Sequence, residues 1–285
     1  MKKLLLTIFI TISISVLSQN QRFYYKYQFQ TDSTDVETKR EELMTLDILE
    51  KSSRYYSENV YLNDSVMNAE FKRRESTNDI SAPINMSSKH RGVIRYKILK
   101  TYPDFSVTSL MNLNMQDYQV NDTRKMKWKI LPEKEKIGAW NTQKATTEFA
   151  GRTWTAWFSE EIPIQDGPYK FHGLPGLIIK MEDASKTHVM QLEAVKKNVL
   201  LRDYNVGFVD QEVKIDDKKL KSVYKAYWKD PVSGMRKMYT EGEVMITDES
   251  GKKLDMNQQL KEMEKRAREN LKKTNNLLEL DLIPH

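Results

Sequence analysis

The chain predicts a mainly β fold of the α+β class, a curved antiparallel β-meander or half-barrel with a few helices, one of them near the C-terminus. Three observations carry this expectation. Apolar residues alternate with period two from one end of the chain to the other, the mark of half-buried strands. The alternating runs follow one another at short spacing, broken by turn-forming residues, which suits hairpins better than parallel strands joined by crossover helices. The 285 residues include no cysteine, so a hydrophobic core rather than disulfide staples must hold the fold together.

Residues 1–18 read as a signal peptide. Lys2 and Lys3 form a basic start, Leu4 to Leu17 an apolar stretch, and Val16 and Ser18 suit a cleavage site before Gln19. The apolar run is about 14 residues, short of the roughly 20 a membrane span requires. With no cysteine to acylate, the expectation is a periplasmic or secreted protein that is not a lipoprotein, with no span left after cleavage. Residues 19–285 then form a single β-rich domain. Its formal charge of +6 falls to +4 without Lys2 and Lys3 (6 − 2), and the basic residues are interspersed with acidic ones. That pattern points away from nucleic acid.

The first strand carries Phe23, Tyr25, Tyr27 and Phe29 on one face, and the second Met44, Leu46 and Ile48. Residues 59–74 are a weakly patterned, charged helix candidate, and residues 76–90 a polar loop. Ile94, Tyr96 and Ile98 resume the alternation. Val107 to Met115 and then Met126, Trp128 and Ile130 follow. Ala150-Gly151 is a tight hairpin between strands over residues 142–149 and 152–158. In the second of these Trp154, Ala156 and Phe158 share a face, with Trp157 opposite. Beyond it, Leu177, Ile179 and Met181 pair with a strand whose His188, Met190, Leu192 and Ala194 share a face, across a turn set by Asp183. Asp217 can cap a helix that carries Leu220, Val223, Tyr224, Tyr227 and Trp228 and stops at Pro231. Asp255 opens a last helix over residues 256–273, with Gln258 in a capping-box position and a narrow stripe of Met256, Leu260, Met263, Ala267 and Leu271. Such a helix lies on the surface with one face on the sheet, and it is one way to cover Trp154 or Trp157. An apolar ligand groove is the other.

Residues 159–183, SEEIPIQDGPYKFHGLPGLIIKMED, concentrate three of the chain's 8 prolines and three of its 10 glycines. Ile162-Pro163-Ile164 reads as an edge strand or an extended lead-in, because proline cannot serve a central ladder. Asp166-Gly167-Pro168 and Gly173-Leu174-Pro175-Gly176 read as turns, the second launching a buried strand. This rigid corner holds Tyr169, Phe171 and Leu174 against the sheet or presents them to a ligand.

Chemistry is sparse. Of the histidines His90, His172, His188 and His285, no two have helical zinc-site spacing, and no HExxH or G-x-S-x-G occurs. Absent cysteine excludes thiol catalysis and thiolate metal sites. His172 with Asp166 and Glu161 is the only locally plausible cluster for a hydrolase. The simpler reading of His172 is a loop residue bonded to a backbone carbonyl. Neither a catalytic residue nor a metal ligand nor a cofactor is assigned. The candidate ligand-binding residues are Trp154, Trp157, Phe158, Tyr169, Phe171, His172 and Leu174.

The combination of Lys144-Ala145, Gly151-Arg152, Ala156-Trp157-Phe158, Ile162-Pro163-Ile164, Gly167-Pro168 and Gly173 to Ile178 resembles the signature of the GLPGLI family, exported proteins of Bacteroidota with no settled biochemical role. The likeness is specific over residues 143–183 and looser elsewhere. Members often carry a cysteine just before the position of Gln143, and this chain has none. The resemblance implies an envelope protein whose gene often accompanies outer-membrane receptors, and it supplies no catalytic residue. By fold-level analogy with lipoprotein and lipid carriers, the expected function is a non-catalytic binding or carrier module for a hydrophobic small molecule or peptide. The alternatives are an accessory protein docking an outer-membrane receptor or envelope peptidase through a strand edge or residues 79–89, and a hydrolase centred on His172.

Overall fold

A computed structural model describes residues 20–77, 92–202, 212–241 and 255–284. The expected leader at residues 1–18, the docking segment expected at residues 79–89, His90 and His285 lie outside the described residues. None of the described helices is long and apolar enough to cross a membrane.

The strands are β1 (Gln21–Gln30), β2 (Lys39–Ile48), β3 (Ser52–Ser57), β4 (Lys97–Thr101), β5 (Ser106–Leu113), β6 (Gln116–Asp122), β7 (Lys129–Ile137), β8 (Trp140–Phe149), β9 (Arg152–Ser159), β10 (Leu177–Asp183), β11 (His188–Lys197) and β12 (Val213–Asp216). The helices are α1 (Glu58–Thr77), α2 (Asp217–Lys229), α3 (Ser233–Glu241) and α4 (Met256–Lys272). One 12-stranded sheet takes all the strands in the order β12-β6-β5-β4-β3-β2-β1-β11-β10-β9-β8-β7. Two meanders, β1 to β6 and β7 to β11, are joined where β1 pairs antiparallel with β11, and β12 adds parallel to β6. The mainly β architecture and the helix near the C-terminus agree with the sequence expectation.

The connection from β6 to β7 shows that the sheet is rolled. These strands stand ten inter-strand steps apart, about 48 Å in a flat sheet at roughly 4.8 Å per step. The chain crosses between them in the seven Cα steps from Asp122 to Lys129, which span at most about 25 Å. Only a sheet curled back on itself brings those strands that close. The inner face carries the predicted stripes: Phe23, Tyr25, Met44, Leu46, Trp154, Ala156, Phe158, Met181 and Met190 are all buried. The roll is not closed, and its β7 edge carries Pro132 among lysines and glutamates, which discourages strand addition.

The interior of the roll is filled by the middle of the Pro/Gly block, residues 166–171 with Leu174, while Pro163, Gln165, Gly173 and Pro175 stay exposed. Phe171 is wholly buried, its ring 4.9 Å from that of Trp154 and 5.7 Å from that of Phe149. Leu174 is buried beside it in the same cluster.

Several local expectations need correction. Ile162-Pro163-Ile164 is an extended lead-in and not an edge strand, held by Leu177 N–H donating to the Ile162 carbonyl at 3.0 Å. Met126 and Trp128 precede β7, and Ile94 and Tyr96 precede β4. The cap of α2 is Asp216, whose carboxylate accepts from Lys219 N–H, whereas Asp217 accepts from the Thr123 N–H and hydroxyl. Helix α3 has no counterpart in the sequence reading, because Pro231 marks the end of α2 without showing that a second helix starts at Ser233. Asp255 does cap α4, accepting from Asn257 and Gln258 N–H, but α4 buries only Leu260. Its Arg268 and Glu264 bond instead to the Lys229 carbonyl and to Arg236. What packs on the sheet is the segment after α4. Arg152 donates to the Asn276 side chain and to the Leu277 and Leu278 carbonyls, and Asp281 N–H reaches the Ala150 carbonyl. Trp157, half-buried on the face of β9 opposite Trp154, has the Lys144 ammonium 6.0 Å above its ring.

Candidate functional site

The Pro/Gly block is folded around a buried cation. Asp166 and His172 form a backbone bridge that pinches residues 166–172 into a loop. Into this loop β4 projects Lys100, fully buried, whose ammonium donates to the carbonyls of Gly167 (2.7 Å), Tyr169 (3.0 Å) and Phe171 (3.4 Å) and pairs with the equally buried Asp166 carboxylate. The same carboxylate accepts from Gly167 N–H at 2.6 Å and from the Tyr102 hydroxyl. Burial pushes the Lys100 ammonium below its ordinary range, and Asp166 partly offsets that. Tyr169 takes the left-handed conformation at φ 54°, which helps turn its carbonyl toward Lys100.

His172 sits on the rim. Its Nδ1 donates to the Lys170 carbonyl at 2.8 Å, its ring stacks on Phe105 at 4.8 Å, and its carbonyl accepts from Trp128 Nε1 at 2.8 Å. Burial lowers its pKa, opposed by the Lys170 carbonyl. Glu161 is engaged elsewhere, accepting from the Asn141 side chain at 2.7 Å. His172, Asp166 and Glu161 thus have separate partners and make no hydrogen bond with one another through their side chains.

Beside the loop lies a second charged cluster. Lys170 Nζ is 2.5 Å from Glu279 and 2.9 Å from Asp122; Arg124 is 2.8 Å from Glu279 and 2.5 Å from Asp122. The Tyr169 hydroxyl donates to Glu279 at 2.6 Å. Burial alone would raise both carboxyls, but Arg124 and Lys170 outweigh it and hold Asp122 and Glu279 below the usual carboxylate range. This cluster seats the C-terminal segment on the block.

Between that segment, α2 and the sheet is a cavity of about 150 Å³, lined chiefly by apolar surface from Tyr96, Ile98, Met111, Tyr169, Leu220 and Leu278. Of the sequence-derived candidates, Tyr169 lines this cavity. Trp154, Phe158, Phe171 and Leu174 are interior residues of the roll, and Trp157 and His172 are half-buried away from the cavity lining. Ile98, Leu220 and Tyr224 were legible as apolar stripe positions, but no local signal shows that strand, helix and tail meet at one cavity. Lys100 had a signal: it continues the Ile94, Tyr96, Ile98 face, where an apolar residue is due. Among the described residues no group of three or more histidine or acidic side chains is placed to hold a metal ion.

Residues 84–180 match a family model described as a protein of unknown function (Porph_ging), about a third of the chain and inclusive of the Pro/Gly block. No curated protein matches. Two solved structures of PNGF-II, in space groups P21 and C2, are similar in fold at a TM-score of 0.48 and 16% identity, covering 72% of this chain. The match takes in 33% and 32% of those chains, so it spans about a third of their length.

Proposed function

We propose that this is a non-catalytic binding module of the bacterial envelope, a member of the GLPGLI group exported by its leader, and that its ligand site is the cavity between sheet, α2 and C-terminal segment. The observation that carries the reading is that cavity: apolar, preformed, and about 150 Å³. An engineered apolar cavity of that size in another protein takes up benzene. The ligand, or the part of it that is buried, is therefore a single ring, a short aliphatic chain or one peptide side chain. The block's own Phe171 and Leu174 occupy the space in which a carrier of long acyl chains would hold its cargo.

The test is a titration of the full chain with benzene, indole and short alkanols, followed through the methyl resonances of Ile98, Met111 and Leu220. The expected result is saturable shifts at these three residues that disappear in a cavity-filling Leu220→Phe variant of unchanged far-UV spectrum. Saturable shifts confined to other methyls, or none with any probe, would sink the reading.

A further inference from the structure

Along the sequence the basic and acidic residues nearly balance, but the fold separates them. Helices α2, α3 and α4, of 13, 9 and 17 residues, hold 12 lysines and arginines against 5 aspartates and glutamates, a net +7 (12 − 5). The rest of the chain sums to −1 (6 − 7). The three helices touch one another: Arg268 of α4 donates to the carbonyl of Lys229, the last residue of α2, and Arg236 of α3 lies 3.6 Å from Glu264 of α4.

On α2, Lys218, Lys225 and Lys229 recur at spacings of seven and four, which sets them along one side of the helix, turned away from Leu220 at the cavity. On α4, Lys261, Lys265 and Lys272 recur at four and seven, on a side other than that of the buried Leu260. All six are exposed, and none pairs with a carboxylate among the described residues. Each stripe covers eleven residue steps, about 16 Å of helix.

A single lysine on a helix surface is an ordinary solvated group. Six on two touching helices, with no acidic partner, sum to a positive field that reaches about a Debye length, roughly 8 Å at physiological salt. Three features choose the kind of anion that answers it. Stripes of about 16 Å outrun any one phosphate or carboxylate ligand. Neither α2 nor α4 exposes a large apolar side chain among the described residues, so a protein partner finds no anchor to bury, and lysine is itself depleted from protein interfaces. Lysine's flexible point charge suits a diffuse layer of anions, whereas bidentate recognition of one group is the work of arginine.

We infer that the α2–α4 layer is a second interaction surface, and that its partner is an anionic lipid leaflet held at the headgroups by charge alone. Interfacial helices that insert bury an apolar face among the acyl chains. Here the apolar sides of α2 and α4 are turned into the protein at Leu220 and Leu260, so attachment involves no insertion and leaves the cavity on the protein side of α2.

Co-sedimentation of the full chain with vesicles tests this, one set of phosphatidylcholine alone and one containing about a third phosphatidylglycerol. At low salt the anionic vesicles are expected to bind about tenfold more tightly or better, and the preference should vanish near about 0.5 M salt. A lysine near an anionic leaflet is worth roughly fivefold in affinity, so Lys218→Gln/Lys225→Gln/Lys229→Gln and Lys261→Gln/Lys265→Gln/Lys272→Gln should each weaken that binding by about tenfold or more. Both change exposed positions only and should leave the far-UV spectrum as it is. Lys129→Gln/Lys134→Gln/Lys136→Gln, at exposed positions of the β7 edge, removes the same charge and should cost less than about twofold. Equal binding to the two kinds of vesicle would overturn the inference, as would an equal loss in the β7 variant. Capture by soluble polyglutamate in place of vesicles would also overturn it, making the partner an acidic protein.

Discussion

Lys100 sits where the β4 pattern asks for an apolar side chain, and its surroundings explain why the chain retains a charge there. The three carbonyls it binds belong to residues of a tight loop with no strand to pair them, and each would otherwise be a buried acceptor lacking a donor. Its ammonium is thus both counter-ion to Asp166 and a substitute for ladder hydrogen bonds. Truncation to Lys100→Met is expected to destabilise the fold by about 3–5 kcal/mol, because it strands the Asp166 carboxylate and the loop carbonyls together. Asp166→Asn in the Lys100→Met background should restore part of that loss, since the stranded charge is gone. Urea denaturation of the four proteins measures both quantities. A loss under about 1 kcal/mol for Lys100→Met, or strict additivity of the two substitutions, would contradict this account. The side chain was not legible as a structural cation. Period-two reading tells which face a residue occupies, but it treats a lysine on the apolar face as an interruption and does not supply its partner 67 residues away.

At the scale of elements, the strands that pair with sequence neighbours were the ones the pattern revealed: the β8–β9 hairpin turns at Ala150 and Gly151 as expected, and β10 and β11 meet across the Asp183 turn. The Pro/Gly block was legible as a rigid corner but not as the filling of the roll, because its contacts with β4, β8 and β9 join residues far apart in sequence. Its glycines differ in what they do, and this can be measured. A Cβ on Gly176 would lie 2.2 Å from the Ser159 carbonyl oxygen, so the backbone at the end of β9 would have to move. Gly173 has φ +90° with nothing within 4 Å of an added Cβ, so only backbone strain opposes a side chain there. Gly176→Ala should therefore cost about 2–4 kcal/mol and Gly173→Ala about 1 kcal/mol. Melting temperatures of the two variants in the reverse order would show that the close approach to Ser159 is not what fixes the launch into β10.

Over the whole molecule the C-terminal segment packs against the roll, and it is anchored by a network that titrates. His188 is 2% exposed; its Nε2 donates to the Asn276 carbonyl at 3.1 Å and its Nδ1 accepts from the Tyr27 hydroxyl at 2.7 Å. Asp183 and Arg152 face the same site, joined at 3.0 Å, and Asp183 also accepts from His188 N–H. Burial, reinforced by Arg152 and opposed by Asp183, lowers the His188 pKa from 6.5 to about 4. The imidazole is therefore neutral in the folded protein at pH values where the unfolded chain is already protonated. Between about pH 6.5 and 4 the unfolded state binds the extra proton, so stability falls as the pH falls, by up to about 3 kcal/mol over that interval. His172, whose pKa burial also lowers, adds a contribution of the same sign. The carboxylates of Asp122, Asp183 and Glu279, all held below their ordinary range, keep their stabilising effect until the pH drops further. Urea denaturation at about pH 7, 6, 5 and 4.5 should show the decline, and His188→Gln should flatten most of it by removing the proton the unfolded chain takes up. A wild-type profile that is flat from pH 7 to 5, or one as steep in His188→Gln as in the wild type, would mean that the segment is not held by a neutral imidazole.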